Sequence, residues 1–357
     1  MYILLFIGLF FSLPTMADNT LGLPPLKIPA DNIQTEEKIA LGRDFFNDPS
    51  FSADGTISCA SCHQPNKALT DGLALAIGIN GQTGTRNAPT VVNAAFFETL
   101  FLDGRENSLE GQALGPVLNP VEHGLENNQQ ILDIVLNNDS YKNRLQKIFN
   151  IDDQSITVQH VAKVIASFER TLIAGNSAFD QYYFGRDKSR LSDSAARGLR
   201  IFRRKGNCAN CHEISWNNAF FSDNNFYNIG VGFKRIQPII DDFIQTLNEG
   251  EASNSFTLTD SQRSELGRFN VTKFTADIGK FKTPTLRNVS LTAPYMHDGS
   301  MQTLEQVVEY YNKGGDKNRF IDAAIFPLNL DEQEKKDLVA FMKSLTSEQY
   351  VTKTTLQ

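Results

Sequence analysis

The sequence has little that would direct it to nucleic acid or hold it in a bilayer. Its 34 Lys and Arg and 41 Asp and Glu give a formal net charge of -7 at pH 7, and no basic run is present, which argues against nucleic-acid binding. Cysteine is scarce at 4 residues, and there is 1 tryptophan. Segments that alternate polar and apolar residues are few, so no large sheet is predicted.

The longest apolar run lies at the N-terminus, within MYILLFIGLFFSLPTMA. It is about ten residues long and is broken by Ser12 and Pro14, so it is short for a membrane anchor, the alternative reading. It ends in the small-x-small pattern Thr15-Met16-Ala17, although no basic residue precedes it. We predict a signal peptide over residues 1–17, no membrane span after its cleavage, and a mature chain in the periplasm.

Both pairs of cysteines occur in the pattern Cys-x-x-Cys-His. The motifs are Cys59-Ala-Ser-Cys62-His63 and Cys208-Ala-Asn-Cys211-His212. In this pattern each thiol adds to a haem vinyl group, and the histidine is held under the iron as a ligand. A four-thiolate zinc site or redox dithiols are the alternative. The histidine after each pair and the exported start of the chain favour two covalently bound haem c groups, which leave no thiol for a disulfide.

The chain contains an internal repeat. Residues 89–104 and 284–299 share Pro-Thr, Asn and Asp-Gly at the same spacing, and each stretch follows a haem motif. Such self-similarity indicates repeated structural units. We therefore predict an N-terminal haem domain over residues 18–180 and a related C-terminal haem domain over residues 181–357.

Helical periodicity dominates the sequence. Apolar residues recur at three- and four-residue spacing in residues 36–46, 159–172, 194–204 and 338–345. A helix before each haem motif and another at the end of each domain is what a cytochrome c domain needs to enclose its haem. The fold class predicted is mainly α, with two tandem cytochrome c-like haem domains that meet at an interface.

The second repeat is longer than the first between its haem motif and the shared segment. The extra residues, roughly 217–282, include a polar stretch over residues 248–255. Polar insertions of this kind are commonly surface loops. We predict a surface excursion here.

With these repeats and the run Ala293-Pro294-Tyr295-Met296-His297-Asp298-Gly299, the chain resembles the bacterial di-haem cytochrome c peroxidase family, which includes MauG-like enzymes. The resemblance extends over residues 37–345. It implies a periplasmic enzyme that uses H2O2 to oxidise an electron donor.

The resemblance assigns the residues above the first haem. The peroxidase branch has a distal histidine ligand sixteen residues after the first motif's histidine, and here that position is Ile79, which cannot bind iron. We expect an open iron, unless His123 closes it. The acid-base residue of the family corresponds to Glu122, which would move a proton between the peroxide oxygens, and its companion amide corresponds to Gln112.

The resemblance also assigns the second haem a ligand. Fourteen residues after His297, where the peroxidase branch has methionine, this chain has Tyr311, as in the MauG-like pattern. A phenolate oxygen favours oxidised iron, whereas a thioether raises the potential. The alternative is that Tyr311 packs in a helix and Met296 or Met301 is the ligand.

Two positions on the family's electron routes depart from its pattern. The tryptophan that usually lies between the haems is replaced by Leu102, so communication between the haems would use direct tunnelling, Phe101 or another path. MauG has a tryptophan before its second haem motif where this chain has Gly206. The tryptophan present, Trp216, is expected to pack on a haem edge, with radical transfer as the alternative.

The resemblance further implies one Ca²⁺ between the domains. Its protein ligands would be the side chain of Asn87 and the backbone carbonyl groups of Thr292 and Pro294, and oxygen ligands of this kind suit calcium.

Three functions remain open for the chain. The first is a peroxidase that oxidises a small c-type cytochrome, a cupredoxin or a partner protein. The second is a MauG-type oxidase that modifies a side chain of a partner protein. The third is a non-enzymatic di-haem electron carrier, which would have two six-coordinate irons.

Overall fold

The computed structural model describes residues 19–250 and 255–350. The predicted signal peptide, residues 1–17, lies outside the described residues. Within them the chain is mainly helical, as predicted, and the sheet is a pair of two-residue strands.

The first half of the chain forms a helical domain around the first Cys-x-x-Cys-His motif. Thr35 caps the first helix by accepting a hydrogen bond from the backbone N–H of Lys38, and two acidic residues follow in its first turn, where the helix dipole favours negative charge. The helices of this half are α1 (Glu36–Asn47), α2 (Cys59–Cys62), α3 (Leu109–Leu114), α4 (Asn128–Leu136), α5 (Asp139–Phe149) and α6 (Val158–Glu169).

The second half repeats this plan with an insertion. The helices are α7 (Ala178–Tyr183), α8 (Asp193–Arg203), α9 (Ile240–Asn248), α10 (Asp260–Glu265), α11 (Phe269–Thr272), α12 (Leu304–Asn312) and α13 (Glu332–Lys343). The strands β1 (Phe226–Tyr227) and β2 (Phe281–Lys282) pair antiparallel, with Phe226 opposite Lys282 and Tyr227 opposite Phe281.

Each half holds its haem motif with an equivalent pair of helices. α1 packs along α6 in the first half, and α8 packs along α13 in the second. A glycine permits each close approach: a Cβ at Gly42 of α1 would clash with the carbonyl oxygen of Val164, and a Cβ at Gly198 of α8 would clash with that of Asp337. The helix before each motif is thereby fixed against the helix at the end of its domain.

The two halves have separate hydrophobic cores. The first core extends from Leu41 to Ala174 in sequence and surrounds α1, α4 and α6. The second core begins at Phe179 of α7, which contacts the aromatic rings of Phe221 and Phe341. The haem motifs lie at the edges of these cores, where partly buried Cys59 and Cys208 pack against them.

The insertion is a folded unit with a core of its own, so the prediction of a plain surface excursion is wrong. Its buried apolar residues form a third cluster: Phe233, Ile236, Ile240, Phe243, Leu266, Phe269 and Ile278. Leu247 and Phe256, on either side of the predicted polar stretch, pack against this cluster. Glu265 of α10 also accepts a hydrogen bond of 2.9 Å from Nε2 of buried His297, which ties the insertion to the His-Asp-Gly segment.

Across residues 19–250 and 255–350, none of the helices has both the length and the apolar character needed to cross a membrane.

Candidate haem-binding site

Both Cys-x-x-Cys-His motifs line the same cavity. It has a volume of about 1010 Å³ and lies between the two halves of the chain, with walls from α3, α12 and the loops around the motifs. The structure brings every sequence-predicted site residue to this cavity. These residues are Cys59, Cys62, His63, Asn87, Gln112, Glu122, Cys208, Cys211, His212, Thr292, Pro294 and Tyr311.

The first motif presents its histidine in the form a metal ligand needs. The cysteines form the short helix α2, and His63 is the residue that ends it. Nδ1 of His63 donates a hydrogen bond of 3.1 Å to the carbonyl oxygen of Leu69, so Nε2 carries the free lone pair. Burial lowers the pKa of His63, which favours the neutral imidazole. Burial, then the charge of Glu169, raises the pKa of Cys59 to about 12.

The second motif reaches the same arrangement through a different turn. Cys208 begins a single turn of 3-10 helix rather than an α-helix. Nδ1 of His212 donates a hydrogen bond of 2.9 Å to the carbonyl oxygen of Phe221. Burial lowers the pKa of His212 as it does that of His63. Two half-buried imidazoles with the same nitrogen engaged, each beside two thiols on one large cavity, fit two haem groups.

Glu122 faces the cavity from the first half of the chain. Its Oε1 accepts a hydrogen bond of 2.7 Å from the side-chain amide of Asn119. Burial raises the pKa of Glu122, although Arg105 and Asn119 oppose the increase. A carboxyl group whose pKa is raised toward neutrality can both accept and return a proton.

The neighbours of Glu122 differ in what they offer. Gln112 of α3 lines the cavity, and so does Gly78. Ile79 is buried but is not a lining residue: its side chain lies against Gly124, and its N–H donates to the carbonyl oxygen of Glu122. The side chain at position 79 therefore offers no ligand to the cavity.

His123 is the nearest alternative ligand in sequence. It is buried, lines the cavity and donates from Nδ1 to the carbonyl oxygen of Phe51 at 2.9 Å. Burial lowers its pKa. It therefore has the same engaged nitrogen as the two motif histidines.

Two adjacent tyrosines of α12 have different environments. The hydroxyl of Tyr310 donates to the carbonyl oxygen of Ile229 at 2.9 Å and accepts from the N–H of Asp316, so it is engaged by backbone. Tyr311 lines the cavity, and burial raises its pKa. Met296 also lines the cavity, whereas Met301 is not among the lining residues.

The three residues predicted to bind calcium all line the cavity. The N–H of Asn87 donates to the carbonyl oxygen of His297 at 2.9 Å, and its Nδ2 donates to that of Leu73 at 2.6 Å. These bonds orient the side chain and leave its oxygen as the atom available to a cation. Among the described residues no cluster of three or more His, Cys, Asp or Glu could hold a metal, so any ion here would depend on amide and carbonyl oxygens.

The region between the two halves contains a cation that the sequence did not suggest. The N–H of Lys282 donates to the carbonyl oxygen of Leu102 at 2.8 Å. Its ammonium group lies 3.8 Å from the centre of the Phe97 ring and donates to the carbonyl oxygen of Thr99. Burial lowers the pKa of Lys282 to about 7. Leu102 and Phe101 both line the cavity.

A buried carboxyl group was also missed. Glu169 ends α6, lines the cavity, and has an Oε2 that makes no hydrogen bond within the described part of the chain. Burial raises its pKa to about 8. A signal was present in the sequence, because Glu169 continues the buried stripe of Val161 and Ile165 at helical spacing.

Trp216 does not have the position predicted for it. Its side chain is 88% exposed and is not among the residues that line the cavity. The structure therefore gives no support to packing against a haem edge.

Comparisons with known proteins identify the family of the chain. The sequence profile described as di-haem cytochrome c peroxidase matches residues 36–188. The chain is 37% identical over 332 residues to cytochrome-c peroxidase IdrP1 of Denitromonas iodatirespirans, covering 91% of this chain and 85% of that protein. It is 34% identical over 324 residues to the methylamine utilization protein MauG of Methylorubrum extorquens, covering 90% and 81%.

A solved structure extends the likeness to the fold. A MauG-like protein associated with microbial copper homeostasis superposes with a TM-score of 0.76 at 29% sequence identity, over 96% of each chain. Because the sequence relatives exceed 30% identity across most of the chain, the protein belongs to the di-haem cytochrome c peroxidase family, whose members are oxidoreductases that contain two haem groups.

Proposed function

We propose that the chain is a periplasmic, H2O2-using di-haem peroxidase of the MauG-like subgroup, with one haem in residues 18–180 and the other in residues 181–357. Cys59 and Cys62 attach the first haem, and Cys208 and Cys211 attach the second. When bound, the haems supply the iron chemistry that takes up the oxidising equivalents of peroxide. The observation that carries the proposal is the common cavity onto which both motifs, Glu122 and Tyr311 open.

Each motif histidine has one task in this proposal. His63 and His212 offer Nε2 to the iron, because Nδ1 of each is held by a backbone carbonyl oxygen. The carbonyl oxygen fixes the tautomer and the ring orientation, a role that outer partners of metal-binding histidines commonly have. Both ligands are therefore positioned by backbone atoms that side-chain substitutions would not remove.

Glu122 moves the proton that peroxide cleavage requires. With haem bound, its carboxylate would accept a proton from one peroxide oxygen and return it to the other, so that the leaving oxygen departs as water. The Asn119 hydrogen bond holds the carboxyl group in place for this transfer. Gln112 lines the same cavity and supplies an amide that can orient the peroxide.

Tyr311 supplies the second ligand of the second haem. We favour Tyr311 as the ligand because Met301 does not line the cavity and the hydroxyl of Tyr310 is engaged by backbone. Met296 remains the alternative. An oxygen ligand lowers the potential of a haem, so it would stabilise oxidising equivalents until a donor supplies electrons.

The donor in this proposal is a small c-type cytochrome, a cupredoxin or a partner protein. Modification of a partner side chain is the second candidate function. It is favoured by Tyr311 and by the likeness to MauG and to the MauG-like protein of copper homeostasis. We also propose one Ca²⁺ held by Asn87, Thr292 and Pro294.

The functions are separated by spectroscopy of the ferric protein followed by peroxide turnover. A peroxidase with an open first haem gives one high-spin EPR signal and consumes H2O2 with reduced cytochrome c. Slow turnover with that donor would favour oxidation of a partner protein. Two low-spin signals and no reaction with peroxide would support the electron carrier and contradict both enzymatic functions.

A further inference from the structure

Tyr227 lies in the wall between the haem cavity and the protein surface. It is the second residue of β1, opposite Phe281 of β2. It lines the large cavity on one side and, on the other, an open surface pocket of about 500 Å³. Phe226, Arg268 and the 70% exposed Phe274 also line that pocket. The phenol is thus within reach both of the second haem motif and of molecules that approach from outside.

The hydroxyl of Tyr227 has a proton acceptor in place. It donates a hydrogen bond of 2.6 Å to Oδ2 of Asp223, and it also interacts with the Cys211 thiol of the second motif. The N–H and side-chain amide of Asn225 donate to the same carboxylate. Although burial alone would raise it, these hydrogen bonds together with that of Thr283 hold the pKa of Asp223 below its usual value, so the acceptor is ionised.

The other side chains near the cavity are less suited to carry an electron outward. Leu102 is aliphatic, Gly206 has no side chain, and Trp216 does not line the cavity. The hydroxyl of Tyr310 donates to a carbonyl oxygen, which does not take up a proton. Loss of an electron from a phenol releases a strongly acidic proton, so an oxidisable tyrosine needs a base within hydrogen-bond distance.

We propose that Tyr227 is a redox-active relay between the second haem and the surface pocket, with Asp223 as its proton acceptor. This rests on the proposed function, which places a haem at Cys208 and Cys211. The peroxidase reaction supplies the oxidant. Tyr227 loses one electron to the oxidised protein and its phenolic proton to Asp223, which leaves a neutral tyrosyl radical. A one-electron reductant at the pocket then returns an electron, and Asp223 returns the proton.

The relay balances over a full turnover. Reduction of one H2O2 to two waters takes two electrons and two protons. Tyr227 passes the electrons one at a time and is restored after each, so it is not consumed. The net electrons come from the reductant and the net protons from solvent.

A matched control exists in the first half of the chain. Tyr141 donates a hydrogen bond of the same length, 2.6 Å, to Oδ2 of Asp48, yet it lines neither pocket. If a carboxylate partner alone made a tyrosine oxidisable here, Tyr141 would compete with Tyr227. The comparison of Tyr227 with Tyr141 therefore tests whether a tyrosine must lie beside the second motif to be oxidised.

The test uses the holoprotein mixed with H2O2 without donor, frozen rapidly and examined by EPR, with ring-deuterated tyrosine to identify a tyrosyl signal. Wild type and Tyr141→Phe should show this signal, Tyr227→Phe should lose it, and Asp223→Asn should show less of it. Oxidation of ferrocyanide should be slower in Tyr227→Phe than in the wild type, and it should not slow in Tyr141→Phe.

Haem content, measured for every variant, separates a failure of the relay from a failure of the proposed function. A wild-type protein with two haems but no tyrosyl signal, or a signal that persists in Tyr227→Phe, would overturn the relay and leave the proposed function intact. A protein that binds no haem would overturn both.

Discussion

The side-chain amide of Asn119 donates a hydrogen bond of 2.7 Å to Oε1 of Glu122, at the wall of the cavity shared by both Cys-x-x-Cys-His motifs. The bond orients a carboxyl group whose pKa burial raises. An oriented carboxyl group of raised pKa that lines this cavity is suited to proton transfer, and this relationship leads to the first two predictions.

Replacement of Glu122 by glutamine should slow the reaction with H2O2 by about 10²–10⁴-fold, because the amide cannot take up and return a proton. Haem content and the ferric spectrum should not change. Stopped-flow absorbance after addition of peroxide measures the rate. Glu126→Gln is the control, since Glu126 is exposed and lies outside the cavity. Equal rates in the two variants would exclude Glu122 as the acid-base residue.

Replacement of Asn119 by alanine should shift the acid limb of the pH–rate profile to higher pH. The Asn119 hydrogen bond lowers the pKa of Glu122, so its loss raises that pKa further. The carboxylate that accepts the first proton is then present only at higher pH. The profile of the peroxide reaction measures this shift, and an unchanged or acid-shifted limb would contradict the role given to the bond.

Replacement of Asp180 by asparagine should destabilise the protein by about 3–5 kcal/mol, because it leaves a buried guanidinium without its counter-charge. Arg287 and Asp180 are 1% and 0% exposed and form two hydrogen bonds of 2.8 and 3.0 Å. Guanidinium chloride unfolding of the holoprotein measures the loss. Arg319→Gln, which breaks an exposed pair with Asp241, should cost about 0–1 kcal/mol. Similar losses in both variants would contradict the importance of burial.

The packing of α8 against α13 should become less stable in acid, because Asp337 becomes protonated. Hydrogen bonds from Arg197, Ser194 and Gln333 lower the pKa of Asp337 to about 2 from 3.8. A carboxyl group with a depressed folded-state pKa stabilises the protein above pH 3.8, and that contribution disappears as the pH falls toward 2. Asp337→Asn should therefore be less stable at neutral pH and should lose less stability on acidification. Parallel acid-unfolding curves for the two proteins would contradict this.

Features encoded over short distances could be predicted from the sequence. The haem motifs follow from the Cys-x-x-Cys-His spacing, and the helices around them follow from helical periodicity. The placement of Glu122 and Tyr311, which both line one cavity, follows instead from the resemblance to the family. The mainly α fold was confirmed. Tyr311 lines the cavity, and its role as a ligand stays a prediction.

Features that depend on long-range packing could not be predicted from the sequence. Lys282 is buried because strand β2 places it against Phe97 and Leu102, far away in sequence. The core of the insertion joins residues that precede and follow the polar stretch over residues 248–255, so a local reading of that stretch suggested a loop. The exposure of Trp216 likewise depends on the path that the chain follows after His212.

The central claim is that one haem is open to peroxide and that the other is closed by Tyr311. EPR of the ferric holoprotein, compared between wild type and Tyr311→Phe, tests it most directly. We expect one high-spin and one low-spin signal in the wild type, with the low-spin signal lost or converted to high spin in Tyr311→Phe. A wild type without a high-spin signal, or a low-spin signal that Tyr311→Phe leaves unchanged, would contradict it.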